Sequence, residues 1–250
     1  MVSRLGRFRA AARELAERGR DLPAARRLRF ALTIEALERF ADGRSLNVLD
    51  AGCGEGLLAE SVARRHPDWT VVAADVNDDQ LERGRRRAEQ AGLSNLRFVH
   101  RDLTGDLGDR AYDAVLAIEC LVEIPDDDTA LARMARALHP AGLFLAHVPE
   151  SDWRPLLPGS EDTWRFEVRH GYRPAEFAAK LERAGLTPNT ISPTTRAGVR
   201  LAQEIRDRNK NRSLKLQALA YPPSVAAVRL ERCGLRWGHA RAFFVEARRS

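Results

Sequence analysis

Residues 48–56 read VLDAGCGEG, an apolar run that passes directly into a turn with glycine at every second position. Glycine permits a tight turn and lets a ligand approach the backbone without interference from a Cβ atom. The pattern predicts a buried strand, a turn, and a helix whose first N–H groups are free to bind a carboxylate or phosphate. The candidate binding residues in this stretch are Asp50, Gly52, Cys53 and Gly54.

Apolar strands alternate with helices on both sides of this turn. The sequence predicts a first strand at 46–50 and further strands at 70–75, 96–100, 112–118 and 143–148, with helices at 78–91 and 126–138. Strands separated by helices favour parallel βαβ units with right-handed crossovers. The near-continuous apolar run at 114–118 is typical of a strand buried on both faces. The fold class is therefore predicted to be α/β.

The pattern is looser at the two ends of the chain. At the N-terminal end, residues 3–18 and 24–41 have the spacing of amphipathic helices. In the C-terminal part we predict a strand at 186–191, a helix at 195–220 that is broken at Pro222-Pro223, and a last strand at 242–247.

Acidic residues follow three of the predicted strands. Asp75 ends the second strand, Asp102 follows the third and Glu119 follows the fourth. Ligands of open α/β sheets bind outside the carboxyl ends of the strands, so these carboxylates should share one site with the glycine turn. Asp75 is placed to accept the two hydroxyls of a ribose. Asp102 is placed to accept an adenine amine, with Leu103 against the ring.

Four stretches, VLDAGCGEG, VVAADV, RDL and YDAVLAIECLVEI, together resemble the class I S-adenosylmethionine-dependent methyltransferases. The resemblance covers residues 46–148 closely and 149–250 in outline. It implies a Rossmann-like, doubly wound sheet of seven strands in the order 3-2-1-4-5-7-6, with strand seven antiparallel. It also implies that the turn holds the methionine part of the cofactor and that the acidic residues after the strands contact the ribose and the adenine. The full set of cofactor-binding residues implied in this way is Asp50, Gly52, Cys53, Gly54, Asp75, Val76, Asp102, Leu103 and Glu119.

The layout also resembles that of family members with helical lids, which mostly act on small molecules. By this resemblance, residues 1–43 form an N-terminal helical lid, and residues 44–250 form the methyltransferase domain with a helical insertion at about 195–230. The expected reaction is direct displacement of the methyl group by a small-molecule acceptor. Where the acceptor must lose a proton, a base is required, and the candidate catalytic residues are His147, Glu119, His170 and Tyr172.

Composition limits the possible settings and partners. The chain has 250 residues, a formal net charge of +6 and three widely spaced cysteines, which favours a cytoplasmic protein without disulfides. The basic residues concentrate at 1–30 and 196–250, whereas the middle of the chain is net acidic. The basic ends suggest an anionic or lipid-like acceptor, or peripheral contact with an anionic membrane. The six histidines have no metal-ligand spacing, so we expect no metal.

Three other functions compete with this interpretation. A nicotinamide dehydrogenase is disfavoured because its fingerprint needs a glycine where this chain has Leu57. A nucleic-acid methyltransferase remains an alternative because of the basic charge, although no nucleic-acid-binding module is recognisable. A non-catalytic protein that binds S-adenosylmethionine is the other alternative, since fold does not imply function. The acceptor and the oligomeric state stay open at this point.

Overall fold

A computed structural model describes residues 24–157, 168–209, 221–233 and 238–250 of the chain. Its strands are β1 (Asn47–Ala51), β2 (Thr70–Asp75), β3 (Leu96–His100), β4 (Tyr112–Ile118), β5 (Leu138–Pro149), β6 (Leu186–Thr194) and β7 (Ala242–Arg249). The α-helices within these ranges are α1 (Ala24–Ala41), α2 (Leu57–Arg65), α3 (Asp78–Gln90), α4 (Asp127–Ala137), α5 (Pro174–Arg183), α6 (Ala197–Asn209) and α7 (Tyr221–Arg232).

The seven strands form one sheet in the order β3-β2-β1-β4-β5-β7-β6. Neighbours among the first five strands of this order pair in parallel, and β7 is antiparallel to β5. Asp50 of β1 lies opposite Ala73 in β2 and Leu116 in β4. The carboxyl ends of these three strands therefore lie at the same edge. The predicted seven-stranded Rossmann-like sheet with an antiparallel last strand is confirmed.

The central strands are buried on both faces. Every side chain from Ala114 to Ala117 in β4 is fully buried, although successive side chains point to opposite faces of the sheet. On one side of the sheet, Phe177 of α5 packs against Tyr172 and Phe243, with ring centroids 4.9 and 5.7 Å apart. Burial of one such ring contributes about 1.5–3 kcal/mol to folding. Burial on both faces stabilises the central strands, and these strands position the acidic residues at their carboxyl ends.

Two element boundaries differ from those predicted. We predicted that the fifth strand begins at residue 143, but β5 begins at Leu138, because Leu138 already pairs with Tyr112 before a register irregularity. We predicted that Pro222-Pro223 interrupts a helix, whereas both prolines lie in the first turn of α7. Proline is tolerated there because the first N–H groups of a helix have no intrahelical partner.

The helices predicted towards the two ends of the chain are only partly covered by the described residues. The predicted helix at 24–41 is confirmed as α1. The predicted helix at 3–18 lies outside the described residues, as does the part of the 195–220 helix beyond Asn209. Within the described ranges, no helix is both long enough and apolar enough to cross a membrane.

The chain divides into two compact units. In described residues, the larger unit comprises 32–152, 168–192 and 242–250, and contains most of the sheet. The smaller unit comprises 24–31, 153–157, 193–209, 221–233 and 238–241. Within the smaller unit, the Glu231 carboxylate of α7 accepts a hydrogen bond from the Arg196 backbone N–H, next to the start of α6. This contact connects the two helices α6 and α7.

In the larger unit, the ring of Phe98 in β3 packs where two glycines approach each other. A Cβ atom added to Gly56, in the glycine turn, would lie 2.3 Å from Phe98 Cε1. A Cβ atom added to Gly84 of α3 would lie 2.4 Å from the same atom and 2.7 Å from the Glu55 carbonyl oxygen. The missing side chains therefore allow α3, β3 and the turn to pack together.

We predict that Gly84→Ala destabilises the protein, although alanine favours a helix by about 1 kcal/mol over glycine. The added methyl group must displace Phe98 or the turn, and such overpacking costs about 1–3 kcal/mol. The measurement is the free energy of unfolding in urea, with Gln90→Ala at an exposed site of α3 as the control. A Gly84→Ala protein as stable as wild type would contradict this packing.

Candidate functional site

The glycine turn after β1 is held by backbone hydrogen bonds to β2. The N–H groups of Gly52 and Cys53 donate to the Ala74 carbonyl oxygen, at 2.8 and 3.0 Å. Gly52 has φ 72°, and a Cβ atom there would lie 2.3 Å from the Cβ of Cys120. Glycine is therefore required at this position by both backbone conformation and space.

Asp75 joins the turn to the carboxyl end of β2. Its Oδ2 accepts a hydrogen bond from the Gly54 N–H at 2.7 Å, and its Oδ1 accepts one from the Asn77 N–H at 2.9 Å. An ionised carboxylate has about four lone-pair positions, so further donors can still be accepted. The two backbone donors fix the orientation in which Asp75 would meet a ligand.

Asp50 lies beneath the turn and is almost completely buried. Burial raises the pKa of Asp50 to about 7; a backbone hydrogen bond from Ala59 opposes the rise, and the charge of Asp75 adds to it. Its Oδ2 has no hydrogen-bond partner among the described residues. A buried acceptor without a partner is costly, and a cationic ligand group nearby would satisfy it.

Asp102 follows β3 and is held by Thr104. The Thr104 N–H and hydroxyl both donate to Asp102 Oδ1, at 2.9 and 2.8 Å. These bonds lower the pKa of Asp102 below its ordinary value and keep it ionised. Leu103, between them, is buried, whereas Val76 after β2 is 57% exposed.

A cavity of about 470 Å³ opens between these residues in the larger unit. It brings together five of the predicted site residues: Gly52, Asp75, Val76, Asp102 and Leu103. Six others were not among the predicted site residues: Thr104, Cys120, Glu123, Ile124, Pro125 and Asp126. Carboxylates on several sides and apolar groups between them suit a polar ligand that carries a flat ring.

Other predicted residues lie near this cavity without lining its described wall. Asp50, Cys53 and Gly54 lie beneath or within the turn. Burial raises the pKa values of the Cys53 and Cys120 thiols well above their ordinary range, so both thiols stay protonated and are poor nucleophiles. Within the described ranges, no cluster of His, Cys, Asp and Glu has an arrangement that could hold a metal ion.

Glu119 and His147 form a close pair at the carboxyl ends of β4 and β5. His147 Nδ1 lies 2.5 Å from Glu119 Oε1, and the Glu119 N–H donates to the His147 carbonyl oxygen at 2.9 Å. The histidine side chain is 1% exposed and the glutamate side chain 18%. Glu119 has φ 68°, an unfavourable conformation for a residue with a side chain, and such strain is often found at functional sites.

Tyr172 and His170 occupy different environments. Tyr172 is fully buried, and its hydroxyl lies 2.7 Å from Asp127 Oδ2 and 3.1 Å from the Leu121 carbonyl oxygen. Burial and the Asp127 carboxylate raise the pKa of Tyr172 well above its ordinary value. His170 is exposed. Neither residue lines the described cavity, although the partners of the Tyr172 hydroxyl, Leu121 and Asp127, directly adjoin the lining residues Cys120 and Asp126.

The contacts of Asp127 explain why Tyr172 is held so firmly. Its carboxylate also pairs with Arg169 Nη1 at 2.7 Å and Lys180 Nζ at 3.0 Å. Arg169 Nη2 donates to the Pro125 carbonyl oxygen at 3.1 Å, and Pro125 lines the cavity. This buried network fastens the wall of the cavity to α5.

Four of the lining residues outside the predicted set belong to one short segment, residues 123–126. Glu123 to Asp126 connect β4 to α4, and Asp126 caps α4 by accepting a hydrogen bond from the Thr129 N–H. The Pro125-Asp126 pair is a recognisable helix-start signal, and it follows a strand adjacent to β1. That combination could have placed this segment beside the glycine turn.

Comparisons with known proteins agree with this geometry. A family model described as a methyltransferase domain matches residues 48–142. An O-methyltransferase of Aspergillus nomiae is 32% identical over 178 residues, covering 63% of this chain and 78% of that protein. A ubiquinone biosynthesis O-methyltransferase of Acinetobacter baumannii is 31% identical over 156 residues, covering 56% of this chain and 63% of that protein.

The solved structures include a geranyl diphosphate methyltransferase with a TM-score of 0.59 and 19% identity, which covers 82% of this chain and 71% of that one. At this identity the likeness concerns the fold. The family is shown by the sequence relatives, and the strand order and the cavity at the glycine turn agree with it. The chain belongs to the class I S-adenosylmethionine-dependent methyltransferases.

Proposed function

We propose that this methyltransferase transfers the methyl group of S-adenosylmethionine to a hydroxyl group of a small organic acceptor. The observation that carries the proposal is the cavity in which Gly52, Asp75 and Asp102 meet, with the Glu119–His147 pair at the neighbouring strand ends. The two sequence relatives described above carry the name O-methyltransferase, which supports a hydroxyl as the accepting group.

The residues fit the cofactor part by part. The unpartnered Asp50 Oδ2 suits the ammonium of the methionine part, whereas the N–H groups of Gly52, Cys53 and Gly54 already donate within the protein. The fixed Asp75 carboxylate suits the two ribose hydroxyls. Asp102 suits the adenine amine, with Val76 and Leu103 against the ring. Bound there, S-adenosylmethionine supplies a methyl group on a positively charged sulfur.

The protein's own contribution is alignment of the two reactants and exclusion of water. Holding the reactants in line can lower the barrier by about 7–11 kcal/mol. Arg169 bonds both the Asp127 carboxylate and the Pro125 carbonyl oxygen, and these contacts restrain the Pro125 side of the cavity. Direct displacement requires such preorganisation more than it requires an acid.

A hydroxyl acceptor must lose its proton, and Glu119 is the group that we propose takes it. Glu119 is the more exposed member of its pair with His147 and directly precedes Cys120, which lines the cavity. His147 holds the carboxylate at 2.5 Å and acts as a positioning residue. A well-placed base accelerates such a step by about 10²–10⁴-fold.

We further propose that the acceptor carries a negative charge, because positive charge concentrates at the two ends of the chain. The smaller unit contains the buried arginines Arg29, Arg200 and Arg241. Burial lowers the pKa of Arg200, whose guanidinium donates to the carbonyl oxygens of His239 and Arg154. These described contacts are internal to the smaller unit, so the support for an anionic acceptor is the basic charge at the two ends of the chain.

The proposed acceptor class is tested by supplying methyl-labelled S-adenosylmethionine and a panel of hydroxylated aromatic acids, their methyl esters and the matching amines. We expect the label on hydroxyl groups, with the acids better acceptors than the esters. Glu119→Gln should lower kcat by about 10²–10⁴-fold because an amide cannot take the proton. Its affinity for S-adenosylhomocysteine should stay within about twofold of wild type if Glu119 acts as the base alone, whereas a larger loss would show the cofactor contact that the family resemblance implies.

The matched control for this variant is Glu89→Gln, at an exposed site of α3, which should change neither value. Label found on amines alone would overturn the hydroxyl assignment. A Glu119→Gln enzyme with full kcat would remove Glu119 as the base.

Asp75→Ala should weaken S-adenosylhomocysteine binding at least about tenfold, because two ribose hydroxyls lose a charged acceptor worth about 1.5–3 kcal/mol each. Calorimetric titration measures the change, with Asp79→Ala, an exposed carboxylate in the first turn of α3, as the control. Equal affinities in the two variants would exclude Asp75 from the cofactor site.

The raised pKa of Asp50 predicts a pH dependence. In the empty protein this carboxyl is protonated below about pH 7, and a bound ammonium group should favour its ionised form. Binding of S-adenosylhomocysteine should therefore release a proton below this pH, and affinity should rise from pH 5.5 to about 7, by up to about tenfold per unit, and then level off. Calorimetry in two buffers of different ionisation enthalpy detects the proton.

In the same interval, the empty protein should lose stability as pH rises. The native pKa of Asp50 is above its unfolded value, so the native state binds more protons between about pH 4 and 7. Asp50→Asn should remove the proton release and flatten both profiles. A variant with the wild-type slope would show that another group titrates.

A further inference from the structure

Thr104 contacts Asp102 in a way that the proposed cofactor site does not by itself explain. Its backbone N–H and its hydroxyl both donate to the same carboxylate oxygen, Oδ1, at 2.9 and 2.8 Å. Thr104 also lines the cavity, beside Asp102 and Leu103. Thr104 therefore contacts the Asp102 carboxylate and also forms part of the cavity wall beside it.

The double contact restricts the Asp102 side chain. Asp102 is exposed, and an exposed carboxylate without partners samples several rotamers, which a ligand must then restrict at an entropic cost. With Oδ1 occupied by two donors, the orientation of the carboxylate is set before a ligand arrives. The backbone N–H of residue 104 remains after any substitution except proline. The hydrogen bond from the hydroxyl is therefore the one contact to Asp102 that depends on the threonine side chain.

We propose that Thr104 is a specificity-determining positioning residue, which holds Asp102 so that the site selects adenine over a purine with a 6-oxo group. The inference rests on the proposed function, in which Asp102 accepts the adenine amine. A 6-oxo purine presents a carbonyl oxygen where adenine presents an amine, and an oxygen facing an oriented carboxylate is repelled and unpaired. Sites that hydrogen-bond one group discriminate strongly against analogues that cannot pair.

The orientation of the carboxylate determines how strong this selection is. A rotating carboxylate can turn away from the 6-oxo group and leave that group to water, so discrimination weakens. A fixed carboxylate has no such escape. Loss of the Thr104 hydroxyl should therefore change the ratio between the affinities for the adenine compound and the 6-oxo compound. This ratio should change more than either affinity does alone.

The test compares Thr104→Val, which removes the hydroxyl but keeps the β-branched shape, with Thr104→Ser, which keeps the hydroxyl. Calorimetry gives the Kd of each protein for S-adenosylhomocysteine and for S-inosylhomocysteine, which has the 6-oxo group. We expect wild type to prefer the adenosyl compound, Thr104→Val to lose about fivefold or more of that preference, and Thr104→Ser to keep it. Asp102→Asn should lose most of the preference and serves as the reference.

Thr187→Val is the matched control, because Thr187 bonds to Ser250 and does not line the cavity. A Thr104→Val protein with the wild-type preference would overturn the proposal, as would an equal loss of affinity for both compounds. A wild-type protein that binds both compounds equally would show that Asp102 does not read the purine. Failure of wild type to bind S-adenosylhomocysteine would instead contradict the proposed function.

Discussion

The hydrogen bond from the Gly54 N–H to Asp75 Oδ2, 2.7 Å long, is the contact on which the site depends. It connects the turn after β1 to the end of β2, and so it fixes the distance between the two parts of the cavity. The sheet makes it possible, because parallel pairing brings the carboxyl ends of both strands to one edge. Without this bond the turn would be held to β2 only through the Ala74 carbonyl oxygen and Asp75 only by the Asn77 N–H, so a ligand would have to order both more fully, at a cost in affinity.

Three carboxylates, Asp50, Asp75 and Asp102, define the site, and they differ in how well the protein satisfies them by hydrogen bonds. Asp75 and Asp102 have backbone donors, which satisfy their charge before a ligand binds. Asp50 is buried with one unpartnered oxygen and a pKa raised to about 7, so it is the least satisfied of the three. The difference assigns a rigid role to the first two and a ligand-dependent charge to Asp50.

Much of the frame could be predicted from the sequence, since strands such as β2 and β4 are marked by continuous apolar runs and the carboxyl ends of parallel strands must meet. The contacts that decide the chemistry could not. Neither the Glu119–His147 pair nor the Phe98 ring between two glycines has a sequence signal, because the partners lie 28 and 14 or more residues apart. Tyr172 was predicted at the site for its chemistry, and its burial against Asp127 depends on tertiary packing that no local pattern encodes.

The most direct measurement is a calorimetric titration of the unaltered protein with S-adenosylhomocysteine and with its 2′-deoxy analogue. A single site should bind the full nucleoside, and removal of one ribose hydroxyl should weaken binding about tenfold, because the fixed carboxylate loses one of its donors. Equal affinity for the two compounds would mean that the carboxylate beside the turn does not hold the ribose, and absence of binding to either would contradict the cofactor site itself.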